Sequence, residues 1–291
     1  MSAIETVPDR APTTLHRQEL RLAVVRLERP TLAARLADYA GQPFNIVVKF
    51  LPAQINNRLR GAVRTAIFKC LETAVHSLDE PDGRGGFPPP SEWTDKVMSG
   101  LAGGIGGFFG LAGLPFELPL TTALMLRSIA EIARSEGEDL TSLEALLACV
   151  EVFALGGRSP SKRPEVDYYA LRTVLARMSG QIAAEVMERG ALNASSPIVA
   201  RLVGEIVGRF GVVVTDQFAA GFAPLLGSVG GVAANVIFMD HFQRIARGHF
   251  TVRRLERLYG SASIRTLYRA QLRELNARRG FGSVLSRTPF Q

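Results

Sequence analysis

Four histidines, two cysteines and 27 acidic residues are the material for metal or nucleophile chemistry in this chain of 291 residues. A metal site needs several such side chains to converge. His16, His76, His241 and His249 are scattered, and of these only His241 has an acid beside it, Asp240. Neighbours on a helix do not face the same way, so Asp240-His241 reads as a polar helix end and no metal is expected. Cys70 and Cys149 each lie among apolar residues, the setting of buried free thiols in a reducing compartment. Neither Ser99 nor Ser228 stands in a Gly-x-Ser-x-Gly turn, so no hydrolytic triad is signalled. The abundance of glycine raises nucleotide binding. Gly104-Ile-Gly106, however, is followed by Phe109 where a dinucleotide fold needs a third glycine. No Gly-Lys-Ser/Thr follows, and the preceding residues pattern as helix. No catalytic residue and no cofactor is assigned.

Three polar residues in apolar surroundings stand out as candidate ligand contacts: Glu117, Arg127 and Asn235. Each has a structural reading that outweighs the ligand role. Glu117 is placed beside a helix N-terminus, where the macrodipole favours its charge by about 0.3–1 kcal/mol. Arg127 is spaced to pair with Glu131 one turn on. Asn235 is expected to hydrogen-bond a neighbouring backbone. A second set is defined by charge. From Thr251 to Gln291 there are nine Arg and two Glu, 9 − 2 = +7, equal to the net charge of the whole chain. Arg253, Arg254, Arg257, Arg265, Arg269 and Arg273 are therefore the candidate contacts to an anionic membrane surface. Nucleic acid is not expected as partner, since only Tyr259 and Tyr268 are available there for stacking.

The elements that must position these residues are helical. The stretch from Val97 to Asp139 organises the chain. It holds no charge from Val97 to Phe116, has glycines four apart (Gly100 and Gly104, Gly103 and Gly107, Gly106 and Gly110), and breaks at Gly113 to Pro119. A second uncharged run, Gln217 to Met239, carries Pro224, Gly227, Gly230 and Gly231. Each reaches the length of a membrane span, yet the prolines and Glu117 interrupt them, and hairpins buried in a bundle explain the pattern at least as well. Around them lie amphipathic helices. Ile55, Leu59, Val63, Ile67, Leu71 and Val75 recur at four-residue steps after Pro52. A Thr141-to-Glu144 capping box starts a helix that ends at Gly156-Gly157. Glu165 to Gly190 follows, with Tyr169, Val174 and Met178 inward, and Ser196-Pro197 opens the next, which Val212 to Thr215 bend or fray. Leu20 to Glu28 is open between strand and helix. Asp79 to Pro90 is a linker and Arg158 to Pro164 a basic loop. The last helix, Ser261 to Arg279, has an apolar face that either docks on the bundle or leaves the helix to the membrane. The expectation is an all-α, single-domain helical bundle with two glycine-rich apolar hairpins. It divides into 1–30 as tail and short element, 31–260 as the helical domain, and 261–291 as basic amphipathic helix and tail.

With both glycine-rich segments read, the chain resembles the EcsC protein family. The matching features are Gly113-Leu-Pro115, Glu117-Leu-Pro119, Leu126 through Ala133, Gly137-Glu-Asp139, Tyr168-Tyr169-Ala-Leu-Arg172, Phe222-Ala-Pro224, Gly227, Gly231, Asn235, Ala246 and Phe250. The resemblance covers roughly Leu32 to Tyr259. The resemblance implies an intracellular helical protein, from a family named for a gene beside an ATP-binding-cassette transporter, and carries over no catalytic set. The function expected is a non-enzymatic cytoplasmic protein at the inner face of the membrane, bound to anionic lipid or to a membrane transporter. The alternative is a soluble carrier or enzyme holding an apolar, lipid-like ligand between its helices.

Overall fold

A computed structural model describes residues 11–28, 53–76, 110–157, 168–190, 192–193, 195–221 and 227–285, with side chains except toward some helix ends. Among them the chain is all α, in eight helices and no strand. The helices are α1 (Thr14–Glu28), α2 (Ala53–His76), α3 (Gly110–Ser135), α4 (Leu143–Gly156), α5 (Tyr168–Arg189), α6 (Pro197–Gly221), α7 (Gly227–Tyr259) and α8 (Ser261–Leu285).

α4 is the axis of the bundle. Its Leu and Ala content favours helix, and a helix apolar all round has to be buried. Every residue from Ala145 to Gly156 is buried, and α2, α3, α5, α6 and α7 pack around it. The cap forms one residue later than the capping box suggested: Ser142 Oγ accepts from Ala145 N at 3.2 Å. Thr141 is diverted by Asp139, whose Oδ1 accepts from its N and Oγ1 at 3.0 and 2.6 Å. The far end stops at Gly157, where a Cβ would lie 2.5 Å from the backbone carbon of Arg209 on α6. Only glycine lets the two backbones come so close.

The buried apolar residues form one contiguous core to which all eight helices contribute. At its centre Phe153 of α4 meets Phe210 of α6 at 4.8 Å and Phe242 of α7 at 5.7 Å between ring centroids. Such pairs contribute about 0.5–1.5 kcal/mol beyond the area they bury. The ambiguous Leu20–Glu28 segment is helix, begun by Thr13 Oγ1 accepting from His16 N at 3.2 Å. Leu20, Ala23, Val24 and Leu27 of α1 enter the core, as do Ile264 and Tyr268 of α8. The final helix thus docks on the bundle.

Three expectations are corrected. α3 runs without a break from Gly110 to Ser135, through Pro115 and Pro119. Each proline removes a helical donor and crowds the carbonyl four residues back. Packing of α3 along α2 and α7 carries that local cost, as tertiary contacts commonly override propensity. Val174 faces outward, 52% exposed, because α5 turns its Tyr168, Leu171, Leu175 and Ile182 stripe to the core instead. α6 is one helix through Val212 to Thr215. The glycine-rich run up to Phe109, with Gly103 and Gly107, the Asp79–Pro90 linker, the Arg158–Pro164 loop and Pro224 lie outside the described residues.

Candidate functional site

The turn between α3 and α4 gathers the acids. Gly137 ends α3 at φ +77°, a left-handed backbone that glycine adopts at little cost. Glu138 N bonds Ala133 O and Gly137 N bonds Arg134 O, each at 3.0 Å, which closes a Schellman cap. The reversal brings Glu136 and Glu138 against α7. There Arg253 grips Glu138 through Nε and a terminal nitrogen at 2.8 and 3.0 Å, and reaches Glu144 at 3.3 Å. Arg257 also donates to Glu138, and to the carbonyl of Glu136 at 2.8 Å. Arg254 bonds Glu136 at 2.7 Å and Glu19 of α1 at 3.0 Å. Burial pushes the Glu138 carboxyl up, but the hydrogen bonds and charges of Arg253 and Arg257 outweigh it and hold the group below the usual range.

Beside this network stands an aromatic one. Arg172 of α5 pairs with Glu256 at 2.6 Å, and Tyr169 donates to the same carboxylate at 2.9 Å. Tyr168 stacks on Tyr268 at 5.4 Å, and its hydroxyl meets His249 Nδ1 at 2.9 Å. Tyr268 in turn donates to Glu28 at 2.8 Å, so α1, α5, α7 and α8 are tied together. Burial first, then the charges of Arg172 and Arg253, keep His249 well below its ordinary range and therefore neutral. Its Nε2 is buried with no hydrogen-bond partner among the described residues. Between the α3–α4 turn, α5, α7 and the start of α8 lies a cleft of about 480 Å³. Its three guanidinium groups, Arg172, Arg253 and Arg257, all face carboxylates.

Arg127 forms the expected pair with Glu131, at 3.2 Å. Glu117 falls on α3 and Asn235 on α7, and their side chains lie outside the described residues. Arg253, Arg254 and Arg257 point into the ion network. Arg265, Arg269 and Arg273 are exposed on α8, with the Arg265 guanidinium 4.9 Å from the centre of the Tyr169 ring. Asp240-His241 is not a helix end: both lie within α7, Asp240 paired with Arg244 at 2.9 Å and His241 buried, its Nε2 at 2.9 Å from the Gly156 carbonyl oxygen. Sequence reasoning passed over Glu136, Glu138 and Glu256, and weighed Tyr268 only for stacking. Their partners lie far along the chain, and only Glu138, inside Gly137-Glu-Asp139, carried any local signal.

A match to the EcsC protein family covers residues 90–255, more than half of the chain. The chain belongs to the EcsC protein family. No curated protein and no solved structure matches it. The EcsC span holds every quoted feature but is shorter at both ends than the expected Leu32 to Tyr259, and it supplies Glu136, Glu138, Arg172, Arg253 and Arg254. Glu19, Glu256, Arg257 and Tyr268, which complete the two networks, lie outside it.

In this EcsC-family chain the two networks tie α1, the α3–α4 turn, α5, α7 and α8 together. Burial pushes up the Cys149 thiol and the Tyr168 and Tyr169 hydroxyls, and raises Cys70 to about 12, so none is an ionised nucleophile near neutral pH. Among the described residues no group of three His, Cys, Asp or Glu is placed to hold a metal ion. No helix of the described residues is long and apolar enough to cross a membrane.

Proposed function

We propose that this protein is non-enzymatic and docks on the cytoplasmic face of an anionic membrane through α8. One observation supports the reading: Arg265, Arg269 and Arg273 follow one another at four-residue steps and are exposed, while Ile264 and Tyr268 hold the other side of α8 in the core. The lipid-facing set is narrower than charge alone suggested, since Arg253, Arg254 and Arg257 are committed to carboxylates within the fold. A basic residue close to an anionic leaflet contributes about 1 kcal/mol, so three contribute about 3 kcal/mol. That is roughly a hundredfold in affinity, enough for reversible attachment.

Flotation with vesicles tests it. The protein should rise with vesicles containing phosphatidylglycerol, stay behind with pure phosphatidylcholine, and be released by salt. Absence of flotation with either, or equal flotation with both, removes the basis for the reading.

A further inference from the structure

Glu151 sits mid-way along α4, inside the core, and is 4% exposed. Among the described residues its hydrogen-bond partner is Ser179 of α5, whose Oγ lies 2.5 Å from Oε1. The cations that act on it, Arg253 of α7 and Arg172 of α5, are paired with Glu138 and Glu144 and with Glu256. Glu144, in the first turn of α4 itself, adds like charge. Among the described residues, the faces that α2, α3 and α6 bury are nearly all apolar (Val63, Ile67 and Leu71; Met125 and Ile129; Leu202 and Ile206), with the Cys70 thiol and Thr122 as their buried polar groups, while α7 buries His241, bonded to the Gly156 carbonyl, His249, bonded to Tyr168, and Thr251, bonded to Glu136. Ser179 Oγ donates a single hydrogen bond to the carboxyl group and supplies no charge, so an ionised Glu151 would be a charge in the core whose nearest cations are already paired, and protonation removes that cost.

We propose that Glu151 is a proton-binding site at the α4–α5 contact, loaded in the folded protein and loosening that contact when the proton leaves. Burial, against the opposing Ser179 hydrogen bond and the Arg253 and Arg172 charges, raises this carboxyl from 4.5 to about 7. The sign follows from linkage. Between about pH 4.5 and about pH 7 the folded chain holds a proton that the unfolded chain has lost, so this group's contribution falls as pH rises through that window and is gone above it. His249 acts in the opposite sense. Held below its ordinary 6.5 when folded, it removes stability as pH falls. Glu138, held low, acts like His249 but below the ordinary carboxylate range. The informative quantity is therefore the difference between wild type and Glu151→Gln, in which both cancel. The inference does not depend on membrane attachment.

The test is urea unfolding of the full chain from about pH 5 to about pH 8, wild type against Glu151→Gln, with infrared titration of the wild type. Relative to the variant, the wild-type folded-to-unfolded ratio should fall by up to about tenfold per pH unit, since one proton is linked. Amide exchange in α4 and α5, corrected for its intrinsic pH dependence, should quicken over the same range in wild type only. The infrared spectrum should keep a protonated carboxyl band toward neutral pH, shifted by Ser179→Ala. Should Glu151→Gln not fold, that band alone decides. A pH-independent difference, or no protonated band above about pH 6, overturns the proton site. Exchange in α4 and α5 that does not change overturns the loosening.

Discussion

Replacing Glu138 by glutamine keeps the shape of the side chain and removes the charge that Arg253 and Arg257 share. The Glu138 side chain is 5% exposed and that of Arg253 16%, so the variant leaves a guanidinium largely out of water without its bidentate partner. Removing one member of a buried pair costs about 3–5 kcal/mol. Arg257, 42% exposed, regains water, which argues for the lower end. The remaining contact of Arg253, to a Glu144 side chain that is 76% exposed, is worth about 0–1 kcal/mol and does not replace it. We expect a loss of about 3 kcal/mol, roughly 6 °C in melting temperature for a chain of this size. The pH dependence has a definite sign. Glu138 is held low in the folded state, so its contribution is complete above about pH 4.5 and is lost as pH falls through the folded value. Thermal unfolding followed by circular dichroism, from about pH 7 down to about pH 3, should show the gap between wild type and Glu138→Gln closing in acid. Melting within about 1 °C of wild type at neutral pH, or a gap that persists in acid, refutes the account of this network.

Two glycines give opposite signs in the same measurement. Gly157→Ala meets the backbone of Arg209 at 2.5 Å and should lower the stability read from urea unfolding, by about 1–3 kcal/mol. Gly204→Ala enters open space on the α6 helix and should raise it, by up to about 1 kcal/mol; shifts of the same sign would contradict the packing. Ser142→Ala should cost about 1 kcal/mol through loss of the α4 cap, and an unchanged midpoint would show that the cap does not hold that helix. Deleting Ser261 to Gln291 removes Ile264 and Tyr268 from the core and uncovers Tyr168, so the shortened chain should unfold or aggregate. A folded monomer in sedimentation and circular dichroism would show that α8 is an appendage.

Local signals carried most of the helices. Val63, Ile67 and Leu71, four residues apart, are all fully buried on α2, because one helical stripe must face the core. Gly137, Gly157 and Ser196-Pro197 mark helix ends where they stand. The proline break at Pro115 and Pro119 misled because the rule is local, while the packing that keeps α3 continuous comes from α2 and α7. Arg253, Arg254 and Arg257 read as a basic surface for a similar reason. Nothing near them in sequence reveals that Glu136 and Glu138 lie across from them, more than a hundred residues away. Glu151 was legible in hindsight, as one acid between Val150 and Val152 in a helix with no polar face.

The most direct test of membrane docking is the affinity of the full chain for phosphatidylglycerol vesicles, wild type against a variant with Arg265, Arg269 and Arg273 all replaced by glutamine. These side chains are exposed, so the variant should stay folded, its melting temperature lowered by no more than about 5 °C as the Arg265 contact with the Tyr169 ring is lost. It should bind roughly a hundredfold more weakly and respond less to salt. Equal binding by a folded variant and wild type would contradict the assignment of α8 as the membrane contact.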